Sequence, residues 1–329
     1  MLQLQRWEWY KLLVKSKGII VLVVYITIHC VSMALPTYET ASPMLEQSLR
    51  TYYQEYGGEV NDDTVQAIEL KYRAITDAVS KKKEALADYR AQKISDEELN
   101  QTLKDTECLA REKRAFDKFY AHYQYCAEDP INRHLIETES WSKLLSLRTP
   151  DFMLIIFTIL LTSLIWIEDS KQDINPIIRP TYFGGITLLI SKWIVAVGIS
   201  FIIAFCSQMI DVVFLLDDTS LQDGNSPLQS ISYFASSPYR LTIWQAFLLG
   251  CISRFFGIIY CGLITVFCAG LLKNVVLGAF CSLASVMLPY VAGGSDFSYL
   301  KFPIPTGFVQ AYLYQLGRGS SMNLNTLII

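Results

Sequence analysis

Long apolar runs decide what this chain can fold into. They are Gly18–Leu35, Phe152–Ile167, Leu188–Leu215, a stretch within Leu241–Leu272, and Val275–Val291. A helix rises 1.5 Å per residue, so about 20 apolar residues cross a bilayer core about 30 Å thick. The expected fold class is therefore an all-α integral membrane protein with five transmembrane helices, at 18–36, 150–168, 188–216, 253–272 and 275–293. The second run is short, so its helix is expected to begin at Pro150 and continue past Glu168. The fourth apolar stretch, about 30 residues before Lys273, is longer than one crossing needs. It predicts a span over 253–272 preceded by an outer loop and interfacial segment within 217–252. A cleaved signal peptide fits the first run poorly, because "SMALPTYETASP" is a weak cleavage site and the basic region before the run is long.

Overall, 52% of the 329 residues are hydrophobic, but residues 38–150 are polar and charged. Lysine and arginine in short loops favour the cytoplasm. Arg6, Lys11, Lys15 and Lys17 precede the first span, Lys171 and Arg179 follow the second, and Lys273 separates the fourth from the fifth. The loop Asp217–Tyr239 has neither residue type and contains aspartates. The N-terminus is thus expected to be cytoplasmic, with 37–149 and 217–252 outside. Five spans leave 294–329 outside as well, and the terminal "TLII" resembles the opening of a sixth span, so a last helix is expected beyond it.

The polar insert at 37–149 is expected to be a helical hairpin. Residues 59–127 lack proline, and Ile68, Tyr72, Ile75, Val79, Leu86 and Tyr89 follow a 4–3 spacing interrupted by Lys82. "SDEE" at Ser95–Glu98 reads as a capping box that starts a second helix. Leu99, Leu103, Leu109, Phe116, Phe119, Tyr120 and Tyr123 give that helix an apolar side. Cys108 and Cys126 on one helix would lie about 27 Å apart, too far for a disulfide. The charge run around Lys81–Lys83 reads as a solvated face, and no nucleic-acid partner is expected.

Chemistry is not visible. His29, His122 and His134 have no metal-ligand spacing, and HExxH, GxSxG and GxxxxGK[ST] do not occur. No catalytic or metal site is expected, and the chain alone should bind no ATP through a phosphate loop. His29 reads as a donor between helices. The "DSKQD" carboxylates read as too exposed for acid–base work. Asp211 and Arg254 fall near the outer ends of the third and fourth spans, either paired to lock the two helices or each reaching independently to the headgroups.

At the N-terminus, "LQLQRWEWYKLLVKSKG" puts Trp7, Tyr10, Leu13 and Val14 on one helical side among basic residues. This reads as an interfacial helix over 1–17 on an anionic bilayer surface, with Trp7, Trp9, Tyr10 and Lys11 as its anchors. The alternative is an ordinary basic flank. Between the second and third spans lies a polar stretch, 169–187, too long for a plain turn. It holds Asp169, Lys171, Asp173 and Arg179, and Glu168 stands at its entry. Pro176 and Pro180 limit any helix there.

The order of these features resembles the ABC-2 type permeases, the membrane subunits of ABC transporters. The "WEWYKLL" elbow comes first, then a span, a large outer insert, a second span ending at Trp166–Glu168, and a cytoplasmic stretch closed by Lys192. Glu168 and Lys192 match the glutamate ending the family's second span and the lysine opening its third. Gln172 and Gly184–Gly185 depart from its glycine and Gly-Arg positions. The resemblance implies six spans and a coupling segment (Glu168, Asp169, Lys171, Asp173, Arg179) that docks on a separate ATPase subunit. ATP and Mg would be bound by that partner. It also implies a second permease copy or homologue, a multi-pass plasma-membrane location, and export, since the family consists mostly of exporters. A different reading is a membrane-anchored sensor or scaffold whose outer hairpin binds a ligand or partner.

Overall fold

The computed structural model describes residues 2–34, 43–145, 152–167, 169, 186–215, 223–237, 239–272 and 274–292. Glu168, Lys171, Asp173, Arg179, Gln172, Gly184–Gly185 and the segment 294–329 lie outside the described residues. The described residues are helical, with isolated bridges and no strand. Two compact units result: Met1–Leu35, Trp141–Asp217 and Trp244–Ile329 form one, and Pro36–Ser140 with Asp218–Ile243 form the other.

The apolar unit begins with α1 (Leu2–Tyr10), which widens into a π-helical turn at Lys11–Lys15. Lys17 then adopts the left-handed conformation (φ 57°), and the chain bends by 62° into α2 (Gly18–Ala34). Next come α7 (Phe152–Ser163), which tightens into a 3-10 turn at Leu164–Trp166, and α8 (Ile186–Leu215). α9 (Ile243–Leu272) and α10 (Val275–Ala292) follow, with the Asn274 side chain accepting from the first amides of α10.

Two helices, Ile186–Phe214 and Ile243–Leu272, are long and apolar enough to cross a membrane. The bent pair α1–α2 passes that test only when taken together, and α7 and α10 are apolar but shorter over the described residues. α9 runs unbroken through Ser253, so Ile243–Ile252 is not a separate interfacial segment. Nothing in "IWQAFLLGCI" stops a helix except Gly250, and one glycine weakens a helix without ending it.

The core of this unit collects Tyr25, Leu154, Ile155, Ile159, Leu161, Val195, Ile199, Ile203, Ile258 and Val266. Small residues let the helices approach closely, as apolar surroundings favour. The Trp9 ring lies so near Gly198 of α8 that a Cβ there would stand 2.7 Å from it.

The polar unit contains α3 (Pro43–Tyr56), α4 (Asp62–Arg90), α5 (Asp96–Ala127) and the first residues of α6 (Glu139–Leu145). α4 and α5 pack as a hairpin. Ser95 Oγ accepts from the Glu98 N–H at 3.3 Å, and the Glu98 carboxylate accepts from the Ser95 N–H at 3.0 Å. α3 is an addition to the expected pair of helices: Tyr52 and Tyr53 pack on Phe116 and Phe119 of α5. The core is therefore concentrated at the base, around Ile68, Ile75, Phe116, Phe119 and Tyr123. Leu86 and Tyr89, nearer the tip, are exposed. Cys126 is a buried free thiol.

Candidate functional site

Two clusters of buried charge stand out in the apolar unit, both anchored on α8. The first joins α1, the end of the second apolar segment and the start of α8. Glu8 bonds to Lys11 at 2.7 Å and to Lys192 at 3.3 Å, and Asp169 bonds to the same two ammonium groups at 2.9 and 2.5 Å. Each carboxylate thus bridges both lysines, which makes a closed ring of alternating sign with no net charge. Lys192 is fully buried. It also donates to the Ile165 carbonyl at 3.0 Å, and its ammonium lies 4.5 Å from the Trp166 ring. Two carboxylates and a carbonyl thus surround the ammonium, the compensation a buried charged lysine requires. Burial raises the Asp169 carboxyl, but Lys192 and Lys11 outweigh it and hold the group below the usual carboxylate range.

The sequence expectations change here in three respects. Asp169 is buried in the ring and not exposed, because two ammonium groups compensate its desolvation. Lys11 points into the ring and not toward a lipid surface. Trp9 is half-buried against Gly198, whereas Trp7 and Tyr10 are exposed and stacked on each other. The sequence signal for the ring is Glu8, the only acidic residue among the first 17, three positions before Lys11.

The second cluster lies toward the other end of α8. Arg254 of α9 donates to Asp211 at 2.5 Å, to Gln208 at 3.0 Å and to Ser207 at 3.0 Å. His29 of α2 places Nε2 2.8 Å from the second Asp211 oxygen. A carboxylate only accepts, so the imidazole donates through Nε2. The structure thus brings Asp211 and Arg254 together and adds His29, which links α2 to both. Ser207, Gln208 and Asp211 occupy one face of α8 through their i, i+1, i+4 spacing. Lys192 and Asp211 are 19 positions apart, about 28 Å along the helix, close to the thickness of a bilayer core.

In the second cluster Ser207 Oγ lies 3.5 Å from His29 Nε2, but that nitrogen donates to Asp211, and among the described residues no group of three or more His, Cys, Asp or Glu side chains could hold a metal ion. What the arrangement does is fix helices to one another. No protein-family model, curated protein or solved structure matches this chain.

Proposed function

We propose that this chain is the membrane subunit of an ATP-driven transporter of the ABC-2 type, an exporter in the plasma membrane. In this reading α2, α7, α8, α9 and α10 are five spans, the N-terminus is cytoplasmic, and the polar helical unit is outside. A separate ATPase subunit binds ATP and Mg, and a second permease copy or homologue completes the translocation path.

The observation that supports the reading best is the closed charge ring at the two ends of the segment 170–185. Asp169 precedes that segment, Lys192 follows it, and both are tied to Glu8 and Lys11 of the elbow. A push delivered to the segment would therefore reach the elbow and two apolar helices at once, and would not be absorbed by a loose loop. The Asp211–Arg254–His29 cluster would carry the motion of α8 on to α2 and α9.

The test is affinity isolation of the full chain in mild detergent, beside a variant with Lys171→Glu, Asp173→Lys and Arg179→Glu. Asp169 is left intact because its loss would open the ring. Recovery of a nucleotide-binding subunit with the wild type, and its loss with the variant, is expected. A folded wild-type chain that brings no such subunit sinks the proposal and favours the sensor or scaffold reading.

A further inference from the structure

The polar unit holds a histidine whose surroundings suit only one protonation state. The returning segment Asp223–Ile243 is fastened to α5 and the strand of chain after it by three bonds. Tyr125 Oη donates to the Gln229 carbonyl at 2.6 Å, the His134 amide donates to Ser230 Oγ at 2.8 Å, and His122 Nε2 lies 3.1 Å from the Ser230 carbonyl. A carbonyl only accepts, so Nε2 bears the hydrogen, and Nδ1 of the neutral ring is left as an acceptor. The Tyr53 hydroxyl of α3 stands 3.0 Å from Nδ1 and donates to it. Burial pushes the Tyr53 phenol up, which keeps it a donor throughout the physiological range.

Among the described residues no anion faces the imidazole to support a second proton. From its own helix come Cys126, 3.7 Å away, and the stacked Tyr125 ring. Burial pushes the Cys126 thiol up to about 12, so it is neutral. Arg133 lies over the far partner, Tyr125, at 4.1 Å. Glu137 and Glu139 act on Tyr53. From α3 comes the Tyr53 hydroxyl and from the returning segment the Ser230 carbonyl, neither of them charged. Burial holds His122 below its ordinary value, with the Ser230 carbonyl opposing in part.

We propose that His122 is a pH-sensitive latch: a proton added at Nδ1 breaks the Tyr53–His122–Ser230 chain and releases residues 226–237. The sign follows from the preference for the neutral ring. The latch has full strength above the ordinary histidine value of about 6.5 and weakens as the pH falls below it. Its opening constant rises up to about tenfold per pH unit until the value in the latched state is passed.

The test is hydrogen exchange of the full chain in lipid nanodiscs at pH 7.5 and 5.5, corrected for the intrinsic pH dependence of exchange. The reporters are the amides of Leu228, Ser230 and Ile231, all hydrogen-bonded within the returning segment. Wild-type protection should fall by up to about tenfold on acidification. In His122→Gln, whose amide can still donate to Ser230 but does not titrate, protection should not change. Tyr53→Phe keeps the imidazole and removes only the bond to its neutral form, which brings the latched-state value toward the ordinary one, so the loss of protection on acidification should shrink. This variant decides the matter if His122→Gln is already open at pH 7.5. Unchanged wild-type protection, an equal loss in a latched His122→Gln, or an undiminished loss on acidification in Tyr53→Phe each overturns the latch.

Discussion

Replacing Lys192 with methionine shortens the side chain by one atom and removes one of two positive charges from the ring. Glu8 and Asp169 would then share Lys11 alone, leaving one buried negative charge without a partner, and both carboxylates are at most 6% exposed. Removing one member of a buried ion pair costs about 3–5 kcal/mol, because the remaining charge keeps its desolvation cost. The Ile165 carbonyl also loses its lysine donor, which adds about 1 kcal/mol. In the double variant Lys192→Met, Asp169→Asn the charges balance again, since Glu8 and Lys11 remain paired at 2.7 Å. The double variant should therefore be more stable than Lys192→Met alone, by about 2 kcal/mol or more. Unfolding of the full chain by SDS titration in mixed micelles measures both quantities. If the two substitutions simply add, the four groups do not act as one ring and the reasoning is refuted.

Three further outcomes follow from particular contacts. Asp211→Asn leaves the buried Arg254 guanidinium with neutral partners and should cost about 3–5 kcal/mol, whereas His29→Gln loses one hydrogen bond and should cost about 1–2 kcal/mol, both read by the same titration. Alanine usually strengthens a helix relative to glycine by about 1 kcal/mol, but a Cβ at Gly278 would run into the backbone of Ala269, so Gly278→Ala should destabilise the fold by about 1–3 kcal/mol in thermal unfolding. Gln92 sits in the left-handed conformation at the hairpin turn (φ 56°), so Gln92→Gly should slow exchange of the neighbouring amides, corresponding to about 1 kcal/mol.

Local rules made some of this legible in the sequence. Apolar run length located the helices of the apolar unit, and the Ser95–Glu98 spacing located the start of α5, because both depend on residues close in the chain. α3 was missed since its apolar side, Tyr52, Tyr53 and Tyr56, is interrupted by polar residues and is stabilised only by contact with Phe116 and Phe119 of α5. The pairing of Asp211 with Arg254 was open to inference because each is a lone charge in an apolar run at matching depth. The ring was not, because Glu8 and Lys192 are 184 positions apart and each has an innocuous local reading. The burial of Asp169 is hidden for the same reason: its neighbours in sequence are polar, and its burial is set by lysines from two other helices.

ATP hydrolysis tests the central claim most directly. The tagged chain, purified with whatever accompanies it and reconstituted into liposomes, should show vanadate-sensitive ATPase activity that co-elutes with it. That activity should disappear when Lys171, Asp173 and Arg179 are charge-reversed, while the SDS-titration midpoint of the chain stays the same. A folded wild-type chain that elutes without any ATP hydrolysis, from membranes that retain other transporters intact, would contradict the account.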